Sequence, residues 1–235
     1  MHRMIILSEI KDSLLHFLFP HICAGCGTDS LGNKDILCLH CISTLPETNF
    51  ERYKDNPIER KFYGRIPVQA ATAHYYFSRN SVLQRLVHQF KYKNNKELGY
   101  QLGRLMGTSL KQSSRFVADA LIPLPLFAAR EKKRGYNQSF ILCEGIAEEL
   151  QLPILKDIIT RPDQTETQTH KGRIDRWKNM EGKFKLIDPA QIVGKHILLV
   201  DDVVTTGATL ESCGSELLKA GNLKLSLACL CYADK

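Results

Sequence analysis

His196-Ile-Leu-Leu-Val-Asp-Asp-Val-Val-Thr-Thr-Gly-Ala-Thr-Leu210 is the stretch on which the fold turns. Its apolar run, residues 197–200, has the length and branching of a strand buried on both faces of a parallel sheet. Asp201 and Asp202 follow where that strand should end, and open α/β sheets gather ligands outside the carboxyl ends of their strands. The small, hydroxylic Thr205-Thr-Gly-Ala-Thr209 then leads into residues 210–221, which read as a helix stopped by Gly221.

Strand, short loop and helix N-terminus together make an anion site, because the first N–H groups of a helix lack partners and lie at its positive end. Gly207 lets the backbone approach a phosphate, and Thr205, Thr206 and Thr209 add hydroxyl donors. Adjacent carboxylates beside such a cradle suit the vicinal hydroxyls of a sugar and would repel further phosphate. Phosphate plus cis-diol points to a ribose 5-phosphate. A receiver domain also opens with a strand ending in Asp-Asp, but it needs most of a domain afterwards, and here only a helix and one strand remain. No G-x-x-x-x-G-K-[ST] sequence exists in the chain, which excludes a P-loop.

The 235 residues suffice for one large or two small domains with a sizeable core. A formal net charge of +7 and a pI near 9.0 favour polyanionic partners, among them nucleotides, pyrophosphate and nucleic acid. Residues 1–19 are interrupted by Glu9, Lys11 and Asp12 and lack a small-residue cleavage site, so they read as neither a membrane span nor an export signal. Ile6, Ile10, Leu14 and Phe17 recur at helical spacing, which predicts an amphipathic helix packed on a neighbour. A cytoplasmic location follows, with peripheral contact at the inner membrane as the minority reading. The eight cysteines are then free or on metal.

Cys23-Ala-Gly-Cys26 and Cys38-Leu-His-Cys41 form a C-x2-C-x11-C-x2-C pattern within a module at 20–47. Four thiolates complete the tetrahedron that structural zinc prefers, and such a closed site has no open position for water. Metal binding would supply the folding free energy of so small a module, on the order of 10 kcal/mol. Residues 48–66, polar and broken by prolines, read as a linker to a domain at 67–235.

In that domain, residues 68–77 read as a strand. Val82, Leu83, Leu86, Val87 and Phe90 mark one helical face, and Leu98, Leu102, Leu105, Met106 and Leu110 a second. Lys91, Tyr92, Lys93 and Lys96 between them could hold a nucleic-acid backbone and stack a base, or form a solvated basic turn. Residues 116–126 read as a buried strand, followed by Arg130-Glu-Lys-Lys-Arg-Gly-Tyr-Asn-Gln138. Arg130, Lys133 and Arg134, next to Gly135 at a strand end, would complement a pyrophosphate. The long polar stretch around 161–179 has the character of a functional loop, and its Trp177 could stack a base or pack on a helix. Arg173, Arg176 and Lys178 there are further nucleic-acid candidates. In the closing strand, Cys229 and Cys231 are expected on one face.

Val200-Asp-Asp-Val-Val-Thr-Thr-Gly-Ala-Thr209 resembles the phosphoribosyl pyrophosphate signature of type I phosphoribosyltransferases. The wider order of pieces resembles the ComF family: the four-cysteine knuckle after Phe19-Pro20, Phe90-Lys-Tyr92, Ile122-Pro-Leu-Pro125, Arg134-Gly-Tyr-Asn-Gln138, then Gln168 to Arg176 with Asn179, and the signature. Tyr136 stands where phenylalanine is usual in that family. The resemblance implies a type I phosphoribosyltransferase-like parallel sheet flanked by helices, with a small N-terminal four-cysteine zinc-binding module. It further implies ribose hydroxyls on Asp201 and Asp202 and the 5-phosphate on Thr205, Thr206, Gly207, Ala208 and Thr209. Magnesium would accompany phosphoribosyl pyrophosphate, with Asp201, Asp202 and Arg134 bearing on any displacement of pyrophosphate, and the 161–179 stretch would cover the site as a lid. Two functions stay open. One is a DNA-uptake protein of natural transformation that binds phosphoribosyl pyrophosphate or a nucleotide, handles single-stranded DNA and meets a helicase-like competence protein. The other is an active phosphoribosyltransferase whose acceptor the sequence does not name.

Overall fold

Four parallel strands organise the computed structural model of the protein, which describes residues 22–29, 31, 35–162 and 184–234. In chain order come α1 (Leu39–Ser43), α2 (Pro57–Arg60), β1 (Ala70–Tyr76), α3 (Val82–Tyr92), α4 (Lys96–Lys111), β2 (Ala120–Pro123) and α5 (Ala128–Arg134). After them come α6 (Gln138–Leu150), β3 (Ile159–Thr160), β4 (Lys185–Leu186), β5 (His196–Val204), α7 (Ala208–Leu218) and β6 (Lys224–Tyr232). The main sheet has the order β1-β6-β5-β2, while β3 and β4 pair antiparallel as a separate ribbon. The expected N-terminal helix at 1–19 and most of the 161–179 loop, with Arg173, Arg176, Trp177 and Lys178, lie outside the described residues.

A parallel sheet needs apolar cover on both faces, and this one has two cores. Leu198, Val200, Leu121 and Ala228 face α3, α4 and α6 through Leu86, Phe90, Leu102, Met106, Leu142 and Ile146. Ile197, Leu199, Ile122 and Leu227 face the other way, onto Phe50, Ile58, Phe62, Leu210, Cys213 and Leu217. The helical faces expected at 82–90 and 98–110 are those that α3 and α4 bury. Among the described residues no helix is long and apolar enough to cross a membrane.

Three expectations need correction. The stretch at 48–66 is no linker: Phe50 and the α2 region pack under the sheet, with Phe50, Ile58 and Phe62 at most 1% exposed. Its apolar residues are spaced by turns and a short helix capped by Asn56, whose side chain accepts from the Ile58 and Glu59 N–H groups. No single period therefore marks it. Strand β5 runs on to Val204, so Asp201 and Asp202 belong to the ladder and do not follow its end. Finally, Cys229 and Cys231 face opposite cores. Leu199 and Val204 share one core and Val200 and Val203 the other, so the period-two alternation slips at the two aspartates.

Replacing Phe62 with alanine is expected to lower unfolding stability by about 3–5 kcal/mol, the cost of a fully buried ring. Urea denaturation reads this directly. A change within about 0.5 kcal/mol, as for a surface position, would restore the linker reading.

Candidate functional site

Asp201 is 9% exposed near the carboxyl end of β5. Its Oδ1 accepts from the Asp202 N–H at 2.8 Å and from the Ser139 hydroxyl at 3.2 Å. Burial and the neighbouring Asp202 charge push its carboxyl up to about 7, against the Asp202 N–H, Lys91 and Ser139, which favour ionisation. Asp202 Oδ2 lies 2.7 Å from Lys91 Nζ, and both side chains are largely buried. The two acids are therefore held from three elements: β5 itself, the last turn of α3 and the first turn of α6.

Beyond Val204 the chain turns through Thr205 and Thr206 into Gly207, the N-cap of α7, with φ of 79°. A side chain there would be strained by that φ, and its Cβ would lie 3.0 Å from the Phe62 ring. Residues 201 and 203–210 line a small concavity, so Asp201 and the helix-start amides share one surface. Arg65 fixes this turn: its Nη1 donates to the Thr206 carbonyl at 3.0 Å and its Nη2 pairs with Glu211. Ser139, Arg65 and Phe62 escaped sequence reasoning. The last two lie in the supposed linker, and Ser139 adjoins a motif valued for its other members.

The cations of 130–134 sit on the short helix α5, between β2 and α6. Lys91, Tyr92, Asn94, Arg130, Lys133 and Arg134 line a cleft of about 540 Å³, which joins two stretches that sequence reading kept apart. No acid lines it, and Lys91 links it to Asp202. The segment 134–138 is explained residue by residue. Arg134 lies over the Tyr92 ring at 5.5 Å and donates to Gln138 Oε1 at 2.7 Å. Gly135 ends α5 with φ of 84°. The Tyr136 hydroxyl donates to the Phe90 carbonyl, a bond that phenylalanine could not make. Asn137 caps α6 through the Ser139 N–H and donates to the Leu124 carbonyl.

Among the nucleic-acid candidates, Tyr92 and Lys93 are exposed, Lys96 lies over the Tyr136 ring at 5.3 Å, and Lys91 is engaged with Asp202. On the other flank of α5 a groove of about 720 Å³ is lined by Tyr136, Phe140, Lys156 and Arg161 among others.

The four Sγ atoms of Cys23, Cys26, Cys38 and Cys41 lie within 4.8 Å of one another, a cluster able to hold a metal. Cys26 Sγ is 3.7 Å from Cys38 Sγ, close to the roughly 3.8 Å edge of a tetrahedron with metal–sulfur bonds of about 2.3 Å. Burial raises the Cys23 thiol, yet N–H groups of Cys38, Cys26 and Gly25 outweigh it and bring the thiol down to about 6. Cys41 is raised by burial and by the surrounding thiols. The module docks on α3 and α4. Gln89 donates to the Ala24 carbonyl at 2.8 Å, Arg85 to that of Gly25 at 3.3 Å, and the Ile36 N–H to Gln101 at 3.2 Å.

The phosphoribosyl transferase domain family matches residues 137–235. With the parallel sheet flanked by helices, this is a type I phosphoribosyltransferase-like fold carrying a four-cysteine cluster. The chain is 35% identical over 153 residues to DNA utilization protein YhgH of Salmonella typhi, covering 63% of this chain and 66% of that one. Competence protein F of Haemophilus influenzae is 33% identical over 144 residues, 59% of this chain and 63% of its own. Competence protein ComFC of Bacillus subtilis is 26% identical over 148 residues, 62% of this chain and 57% of its own. The matched region thus spans 57–66% of these relatives' length.

Because Asp201 is raised in the folded state, its stabilising contribution is complete below pH 3.8 and is lost as pH rises through about 7. Asp201→Asn is therefore expected to raise the thermal midpoint relative to wild type at pH 8 by more than at pH 5. Unfolding curves at the two pH values test this, and a variant destabilised more at pH 8 would mean that the ionised carboxylate stabilises the empty fold.

Proposed function

The chain belongs to the ComF family of phosphoribosyltransferase-like proteins, and on that premise we propose that it binds phosphoribosyl pyrophosphate or a nucleotide with magnesium and handles single-stranded DNA during uptake. The observation that carries this reading is the pair Asp201–Asp202 set between the helix-start amides of 205–209 and the cationic cleft, joined to that cleft by Lys91. In this arrangement the amides and hydroxyls of 205–209 hold the 5-phosphate. Asp201 and Asp202 accept from the 2- and 3-hydroxyls, for which Lys91 must release Asp202. Arg130, Lys133 and Arg134 face the pyrophosphate. Magnesium would neutralise charge on the pyrophosphate.

The relatives' names speak of DNA utilization and competence, and this supports a place in DNA uptake; a helicase-like competence protein is the partner we propose there. Tyr92, 64% exposed beside Lys93 at the rim of the cleft, suits stacking of an unpaired base while cations track the backbone. The four cysteines would hold zinc as a structural ion, with no open position for chemistry.

One observation favours the transferase reading as well. A carboxyl near 7 can exchange a proton at neutral pH, so Asp201 is a candidate base for an acceptor nitrogen that sequence reasoning did not find. Its mark would be pyrophosphate release in the presence of a base, abolished in the double variant Asp201→Asn with Asp202→Asn.

Calorimetry with magnesium and phosphoribosyl pyrophosphate is expected to show binding that weakens at least about tenfold in Asp202→Asn, the scale of a lost charge-assisted hydrogen bond. Equal affinity in that variant would remove the acids from the site. Binding of an oligothymidylate should fall steeply between 50 and 200 mM salt, about 300-fold if six phosphates are contacted, and weaken further in Lys93→Ala. No binding at low salt contradicts the nucleic-acid role. Metal analysis is expected to find one zinc per chain, lost together with the module's structure under a strong chelator. A module that stays folded and metal-free refutes the zinc assignment.

A further inference from the structure

Arg161 directly follows β3 and lines the groove on the other flank of α5. Its guanidinium lies 3.9 Å from the centroid of the Phe127 ring and 5.0 Å from that of Phe184. The Arg130 guanidinium lies 5.5 Å from the same Phe127 ring, so one aromatic residue, the N-cap of α5, gathers two cations. Burial and the Arg130 charge both lower the Arg161 pKa, while Asp201 is the opposing charge that raises it. No described acid forms an ion pair with Arg161, and its Nε is buried without a hydrogen-bond partner among the described residues. A half-buried cation beside a like charge, with an unsatisfied donor, is an unfavourable arrangement unless an anion completes it. A guanidinium fork held by rings is pre-organised for a phosphate's paired oxygens.

We propose that Arg161 is a binding residue of the same site and anchors the pyrophosphate end of the ligand together with Arg130. This rests on the reading of the site given above. The pyrophosphate end is indicated by Arg130, which shares the Phe127 ring with Arg161 and lines the cationic cleft with Lys133 and Arg134; Arg161 itself lines the groove on the other flank of α5, where Glu131, Glu144 and Asp157 also lie, and not the concavity at 201–210. Phe127 would act as a positioning residue, holding both guanidinium groups near its ring.

The test is calorimetry on the full chain with three probes: magnesium–phosphoribosyl pyrophosphate, ribose 5-phosphate and inorganic pyrophosphate. Arg161→Gln is expected to weaken the two pyrophosphate-bearing probes by about 10- to 100-fold, the range of a bidentate charged contact, and ribose 5-phosphate by less than about twofold. Arg161→Lys, which keeps the charge and loses the fork, should fall between, and its unfolding midpoint serves as the check should the glutamine variant misfold. Unchanged pyrophosphate affinity in a folded variant, or equal loss for all three probes, overturns the proposal. If wild type binds only inorganic pyrophosphate, sensitively to Arg161, the anchor stands and the phosphoribosyl reading falls.

Discussion

A largely buried carboxylate beside a second carboxylate is the constraint on which this structure depends. An ion in that position costs several kcal/mol unless charge and hydrogen bonds compensate. Here the compensation comes from Lys91 at the end of α3, the Ser139 hydroxyl at the start of α6 and the Asp202 amide. It is incomplete, as the raised Asp201 pKa shows. A site in this condition favours a ligand that brings hydroxyl donors to the acids and an anion to the cations they leave behind.

Helix α3 connects this chemistry to the rest of the fold. Its buried face builds the first core, and Arg85 and Gln89 hold the backbone of the four-cysteine module. Its last turn presents Lys91 to Asp202, while the Tyr136 hydroxyl holds the Phe90 carbonyl. The cysteine module is thus a brace on the helix whose last turn carries Lys91. On the opposite face Phe62 and Arg65 support the turn at 205–207, so both cores converge on the carboxyl edge of the sheet.

Much of this was legible in sequence because the chemistry is local. The run at 197–210 holds strand, acids, turn and helix start in consecutive residues, and four cysteines at short spacing name their own geometry. Helical faces at 82–90 and 98–110 were legible from their period. Phe62 and Arg65 were not, since a residue that packs on Gly207 from 145 positions away leaves no local pattern. Arg161 was hidden likewise: its partners Phe127, Arg130 and Phe184 come from separate segments, and only the tertiary fold shows two cations sharing one ring. The slip of alternation at Asp201 and Asp202, which sends Cys229 and Cys231 to different cores, depends on how the strands run together at their carboxyl edge.

The most direct measurement is a crystal structure of the full chain soaked with magnesium and phosphoribosyl pyrophosphate. The account predicts the 5-phosphate on the amides of 205–209, the ribose hydroxyls against Asp201 and Asp202, and Lys91 withdrawn from Asp202. Ligand density away from this edge, with the Lys91–Asp202 pair intact, would contradict it.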